Sequence, residues 1–153
     1  MDSVSLAGVL KRVYSSFDML SFDNRLKLQK VIYLLKERGI DLGYSFRFYV
    51  FGPYSTDLAR NGFQMKPFSE SQELRFETEA KEKIFETFKS KIMQHKDDKK
   101  WLEAAASIVF LFKMRNDKTS VFEQIKQKNT PFEESYLDGV FKELIDYGWL
   151  NGN

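Results

Sequence analysis

The sequence predicts a mainly α protein with a small β element: a compact helical bundle of about six helices, a short antiparallel sheet, and winged-helix-like elements near its end. Three observations lead there. Apolar residues recur at three- and four-residue steps over most of the chain, whereas period-two alternation is confined to residues 46–51 and 73–77. A stretch at 101–114 is apolar on almost every side, as the central helix of a bundle is. With 42% hydrophobic residues, including 15 Phe, 7 Tyr and 2 Trp among 153, there is core enough for one domain spanning 1–153, and no repeat or linker divides it.

Val4, Leu6, Val9, Leu10, Val13 and Phe17 have the spacing of a first amphipathic helix, with Ser3 as its cap. Residues 16–23 connect onward, and Met19, Leu20 and Phe22 are expected to tuck beneath that connection. Asp23 or Asn24 then caps a second helix whose Leu28, Val31, Ile32 and Leu35 share one face, while Lys27, Lys30, Glu37 and Arg38 mostly fall elsewhere. Gly39 ends it through a Schellman-type turn. In residues 46–51 Phe46, Phe48 and Val50 alternate with Arg47, Tyr49 and Phe51, an aromatic strand that Gly52-Pro53 is expected to stop. Ser55 caps a short helix through Leu58 and Ala59 that breaks at Asn61-Gly62.

Pro67 interrupts the chain, Ser69 to Gln72 form a polar turn, and residues 73–77 read as a second strand paired with 46–51. Thr78 caps a helix with Ile84, Phe85, Phe88 and Ile92 on one stripe and Lys81, Lys83, Lys89 and Lys91 in solvent. Charges at 94–100 mark a turn. In the buried helix that follows, Leu102, Ala105, Ile108, Val109 and Phe112 are the expected core. Ser120 with Glu123, and Thr130 with Glu133, fit capping boxes, and Pro131 sits where a first helical turn accepts proline. Leu137, Val140, Phe141, Leu144 and Ile145 form the last stripe. Gly148 ends it, and Trp149 and Leu150 fold back on the bundle.

The stretch LQKVIYLLKERGIDLGYSFRFYVFGPYSTDLA, residues 28–59, resembles the LQK-aliphatic-YLL…LGY-x-F-x-x-Y-x-x-GPYS-x-x-L signature of YwgA-like proteins of bacteria and archaea. A looser K-L-x-K-x-x-Y…GP form is similar to the Panacea-type antitoxins and GepA-like proteins, and weaker similarity continues at 105–109 and 144–150. The resemblance to Panacea-type domains implies non-catalytic binding to a protein partner, a toxin in that family's case. The matching residues here are Leu28, Gln29, Lys30, Tyr33, Gly52 and Pro53. The fuller LGY and GPYS forms look more like the YwgA-like branch, whose role is unassigned.

Composition narrows the chemistry. The absence of cysteine excludes disulfides, thiol catalysis and thiolate metal sites. The single histidine, His95, sits in KIMQHKDDKK and reads as a solvated surface residue, so no metal ligands are assigned and no cofactor is expected. Neither a basic, apolar leader nor a membrane span is seen, and the expected location is the cytoplasm. The formal charge of +2 decides nothing about partners: residues 1–76 hold 11 Lys/Arg against 8 Asp/Glu, and 77–153 hold 13 against 14.

Three functions are weighed. Helices flanking residues 128–130 have helix-turn-helix spacing, but the outward positions of the last helix include Glu133, Glu134, Asp138, Glu143 and Asp146 against Lys142, which repel a duplex. With Asn153 as the last residue, no wing is expected after it. A nucleic-acid surface would instead use Arg25, Lys27, Lys30 and Arg47 beside Tyr33 and Tyr49. An enzyme would need a dispersed site: no phosphate loop or hydrolase motif occurs, Asp97 and Asp98 are adjacent and do not converge, and no catalytic residue is assigned. The leading expectation is a protein-binding module using Lys27, Gln29, Lys30, Tyr33, Tyr49, Gly52, Pro53 and Tyr54, in which the partner docks on Tyr49, Tyr54 and the basic edge of the second helix. The same residues also read as a structural corner, with Gln29, Lys30 and Tyr33 as clamps. Oligomeric state stays open, since a free sheet edge can pair with a second copy.

Overall fold

The computed structural model describes residues 2–127 and 132–151. Among these are seven α-helices and one two-stranded antiparallel sheet: α1 Ser3–Leu10, α2 Phe22–Glu37, β1 Arg47–Tyr49, β2 Gly52–Tyr54, α3 Thr56–Gln64, α4 Glu79–Ile92, α5 Lys99–Arg115, α6 Lys118–Lys126 and α7 Glu134–Asp146. The chain is mainly α with a small β element, as its periodicities require.

Two helices form the centre. Helix α5 is buried from Trp101 through Val109 and again at Leu111 and Phe112, including all five expected core residues. Helix α2 packs along it and is buried at nine positions, so its apolar stripe understates how enclosed it is. Helices α1, α3 and α4 lie on the α2 side, α6 and α7 on the α5 side, and β2 wedges against both central helices. Their ends close as the glycines dictate. Gly39 (φ 118°) and Gly148 (φ 88°) each complete a Schellman turn, with Ile40 N–H donating to the Leu35 carbonyl and Trp149 N–H to that of Leu144. Trp149 folds back, and its indole N–H reaches the Leu34 carbonyl at 2.9 Å.

Several local expectations are corrected. Asp2, not Ser3, caps α1, and the helix ends at Leu10, leaving Val13 buried in the turn that follows and Val4 exposed. Ser21 caps α2 by accepting from Asn24 N–H, so Asp23 falls in the first turn where the helix dipole favours its charge. Asp117 caps α6, which places Ser120 inside the helix. Helix α7 begins at Glu134, with Glu133 at its cap position; Thr130 and Pro131 lie outside the described residues.

The strand pairing differs most. Val50 and Phe51 form the turn, and Gly52-Pro53-Tyr54 is the partner strand, with Arg47 opposite Tyr54 and Phe48 opposite Pro53. Proline is tolerated because each strand of a two-stranded sheet is an edge. Residues 73–77 are extended but pair with a helix end. The last turn of α1 leaves the Gly8 carbonyl free, and Leu74 N–H donates to it at 3.0 Å. The alternation there is real: Leu74 and Phe76 pack inward, and Glu73, Arg75 and Glu77 face solvent. Helix α3 runs through Asn61-Gly62, because a side chain at Gly62 would meet Leu28 Cδ2 and Met19 Cε, each 2.7 Å from its ideal Cβ position. The glycine lets α3 close on α2, and that packing outweighs its weak helix propensity.

Candidate functional site

The Gly-Pro corner is held by side chains of α2. Gln29, 3% exposed, donates from Nε2 to the Ser55 carbonyl at 2.9 Å and accepts from Ser55 N–H at 2.8 Å. Lys30, 2% exposed, donates from Nζ to the Pro53 carbonyl at 2.7 Å. Ser55 Oγ in turn accepts from Leu58 N–H and starts α3. Gly52 has φ 97°, and a Cβ built there would lie 2.6 Å from Ser107 Oγ on α5. The corner is therefore tied to α2 and pressed against α5, with its buried polar groups satisfied.

This geometry divides the eight sequence-predicted binding residues. Gln29, Lys30, Tyr33, Gly52 and Pro53 are buried, with polar atoms or close packing used in the corner and the core, so they support the surface and supply little of its exposed area. Tyr33 packs edge-on to Phe46, donates to Glu37 Oε1 at 3.1 Å, and has its hydroxyl pKa raised by burial and by Glu37. Lys27 is half-buried and paired with Asp97 at 3.5 Å on the far side of the helix connection. Of the basic edge expected for nucleic acid, Lys30 and Tyr33 are interior and Lys27 faces a carboxylate, whereas Arg25 is half-buried and Arg47 and Tyr49 are exposed.

Tyr49 and Tyr54 are at the surface, 48% and 37% exposed, with ring centroids 5.4 Å apart in an edge-to-face pair. Phe46 and Phe48 turn inward against Tyr33 and Phe110, which leaves Tyr49 and the turn residues Val50 and Phe51 outward. Phe51 meets Phe22, at the start of α2, with centroids 5.2 Å apart. Between Phe22, Phe51, Tyr54 and Phe63 opens an apolar cavity of about 220 Å³, floored by Met19 and Leu26 and bordered by Arg25. A shallower depression of about 340 Å³ lies across the Phe51/Tyr54 wall, beside Tyr49, Val50 and Thr56.

Two members of this face, Phe22 and Phe63, escaped the sequence reading. Phe22 and Leu20, expected to tuck under the connection, are exposed, because Ser21 starts α2 and places Phe22 at its open first turn. Phe63 (63% exposed) follows Gly62 and falls off the buried Leu58/Gly62 stripe of α3. An aromatic off a helix's core stripe was the available signal.

His95 is a correction. It is half-buried, stacked on Trp101 at 3.7 Å, with Nε2 2.8 Å from Glu143 Oε2; that carboxylate also accepts from the Tyr147 hydroxyl at 3.1 Å. The cluster joins the α4–α5 connection to α7. Asp98 is the cap of α5, and Asp97 lies between Lys27 and Lys96. On α7, Glu134 pairs with Lys126 and Asp138 with Lys118. Among the described residues no three His, Cys, Asp or Glu side chains gather as metal ligands, and no helix is long and apolar enough to cross a membrane.

Compared with protein-family models, with curated proteins and with solved structures, the chain finds no match in any of the three.

Proposed function

We propose that the protein is a non-catalytic binding module that docks a protein partner on the hairpin face formed by Tyr49, Val50, Phe51, Tyr54, Phe22 and Phe63. The observation that carries this reading is a connected set of exposed aromatic side chains, enclosing a cavity, on a backbone corner clamped from behind by Gln29 and Lys30. Patches of this kind on small proteins mark interaction sites. Rigid aromatic anchors contribute contact area with little loss of side-chain freedom, which is why they dominate binding energetics.

The resemblance to YwgA-like and Panacea-type proteins supports a finer version, in which binding neutralises the partner by covering its working surface. Among the residues that carry the resemblance, Gln29, Lys30, Gly52 and Pro53 build the corner, and Tyr33 packs on Phe46 beside it. Val50 and Phe51, at unspecified positions of the signature, project from it. A shared scaffold with variable tips suits a family that binds varied partners.

The test is affinity capture from the native host by the wild-type protein and by a Tyr49→Ala/Tyr54→Ala variant that remains folded at the capture temperature. Capture of one protein by the wild type and its loss in the variant supports the reading. Equal capture by both proteins removes this face from consideration, and recovery of nucleic acid that declines with salt transfers the function to the basic residues.

A further inference from the structure

We infer that the occupant of this face is a protein segment bearing an apolar anchor with a carboxylate beside it, the anchor entering the cavity between Phe22, Phe51, Tyr54 and Phe63 and the carboxylate meeting Arg25. The inference rests on the docking face proposed above and names its partner's chemistry.

Size is the first argument. Cavities that enclose a drug-sized molecule run from about 300 to 1,000 Å³. At about 220 Å³ this one suits a side chain, and the adjoining depression of about 340 Å³ receives a second one across the Phe51/Tyr54 wall. Two anchors astride a wall describe a peptide segment better than a compact metabolite.

Charge is the second. The cavity's charged lining is cationic, Arg25 and Lys30, with no Asp or Glu. Lys30 is drawn back to the Pro53 carbonyl at 2.7 Å. Arg25 is half-buried, and its Nη1 donates to the Met19 carbonyl at 2.9 Å, which fixes the guanidinium at the cavity wall. Among the described residues it enters no ion pair, so most of its five N–H donors remain for a ligand. Of the acids on the same elements, Asp23 pairs with Lys99 at 3.1 Å and Asp57 with Arg60 at 2.8 Å, and Asp18, next to Met19, accepts from Leu20 N–H at 2.9 Å. Arg47, opposite Tyr54 in the hairpin, is exposed and also outside any ion pair among the described residues.

An apolar surface covering Arg25 would strip water from a guanidinium and return nothing, a neutral carbonyl would return a weaker bond of the kind Met19 already gives, and a basic group would add repulsion. A carboxylate restores the lost solvation through a planar, two-bond pairing that arginine favours. The site therefore selects by penalty as much as by attraction.

The test uses the full chain against immobilised short-peptide pools carrying a fixed Leu or Trp followed by a fixed Glu, Gln or Lys. The Glu pool is expected to be retained about tenfold more strongly than the Gln pool, the effect of one charge-assisted pair, and the Lys pool least. Arg25→Gln is expected to abolish that order while keeping the thermal midpoint, and Arg25→Lys to keep part of it. Equal retention of the Glu and Lys pools, a Glu preference that survives Arg25→Gln, or retention of an oligonucleotide in place of every peptide overturns the inference. Peptides retained without regard to charge, yet lost in Tyr49→Ala/Tyr54→Ala, leave the docking face standing and remove only its acidic occupant. Retention of no pool overturns the inference, and host-partner capture indifferent to the tyrosine variant removes the docking face as well.

Discussion

Gln29 uses both ends of its amide on one residue, donating to and accepting from the Ser55 backbone. An apolar side chain of similar size strands a buried N–H and a buried carbonyl, at roughly 1–3 kcal/mol each. Gln29→Leu is accordingly expected to lower the unfolding free energy by about 3 kcal/mol in urea titration. The exposed Tyr49→Ala/Tyr54→Ala pair is expected to lower it by only about 1 kcal/mol, mostly the lost ring–ring contact. That contrast separates the residues that hold the corner from those it displays. A second residue-scale case is Arg12, 5% exposed, which bonds both oxygens of Glu82 at 2.8 Å and Glu86 at 2.7 Å over the Phe85 ring. The Arg12 bonds, joined by one from Phe76 N–H, hold the Glu82 carboxyl at about 2, below its ordinary 4.5. A depressed carboxyl pKa contributes stability that is complete above the ordinary value and is lost as pH falls toward the folded one. Thermal midpoints measured between pH 6 and 2 should therefore fall more steeply below about pH 4.5 in the wild type than in Glu82→Gln. Parallel curves would show that this pairing contributes nothing to acid sensitivity.

At the scale of elements, the hairpin depends on a position that only glycine fills without strain. Gly52 combines φ 97° with Ser107 Oγ 2.6 Å from its absent Cβ. Gly52→Ala is expected to cost about 3 kcal/mol from backbone strain and overlap together. In the Gly52→Ala/Ser107→Ala double variant the overlap is relieved and the strain remains, so denaturation should show a loss smaller than the sum of the single effects. Elements with one unambiguous terminator were legible in the sequence: Ser55 and Thr78 cap their helices, and Gly39 and Gly148 close theirs. Where two capping residues stand within three positions, as with Asp117 and Ser120 or Ser21 and Asn24, tertiary packing decides, and the pattern alone does not. The alternation at 73–77 points to the sheet, and the structure corrects it for a related reason. Alternation reports that one side of an extended segment is buried, but not that its hydrogen bonds go to another strand. Here they go to a helix end, to Arg12, whose Nη1 meets the Leu74 carbonyl at 3.2 Å, and to Glu82, which accepts from Phe76 N–H.

Across the whole molecule, the fold class followed from period, since a helix as uniformly apolar as α5 has to be central and helices such as α4 and α7 carry a single buried stripe. The binding face was only half legible. Tyr49 and Tyr54 could be named from their strand, but Lys30 and Phe22 exchanged their expected places. A lysine has an apolar stem long enough to run through a core to a carbonyl 23 residues away, and an aromatic at a helix's first turn need not be covered. His95 shows the same limit, because its partner Glu143 lies 48 residues on. Contacts over such separations bind the two sides of the bundle into one unit, and the longest of them makes a final prediction. The Trp149 indole reaches from beyond α7 to the Leu34 carbonyl on α2, while its ring packs on Phe88 of α4. If α1–α4 and α5–α7 were independent, urea unfolding followed by tryptophan fluorescence and by helical circular dichroism would give separate transitions. Coincident transitions are expected instead, as for a two-state domain. Trp149→Phe, which removes the hydrogen bond and part of the ring, should shift both by the same amount, about 1–2 kcal/mol, with the slope unchanged. Transitions that separate in that variant would mean that the C-terminal tail, rather than the α2–α5 contact, is what makes the fold cooperative.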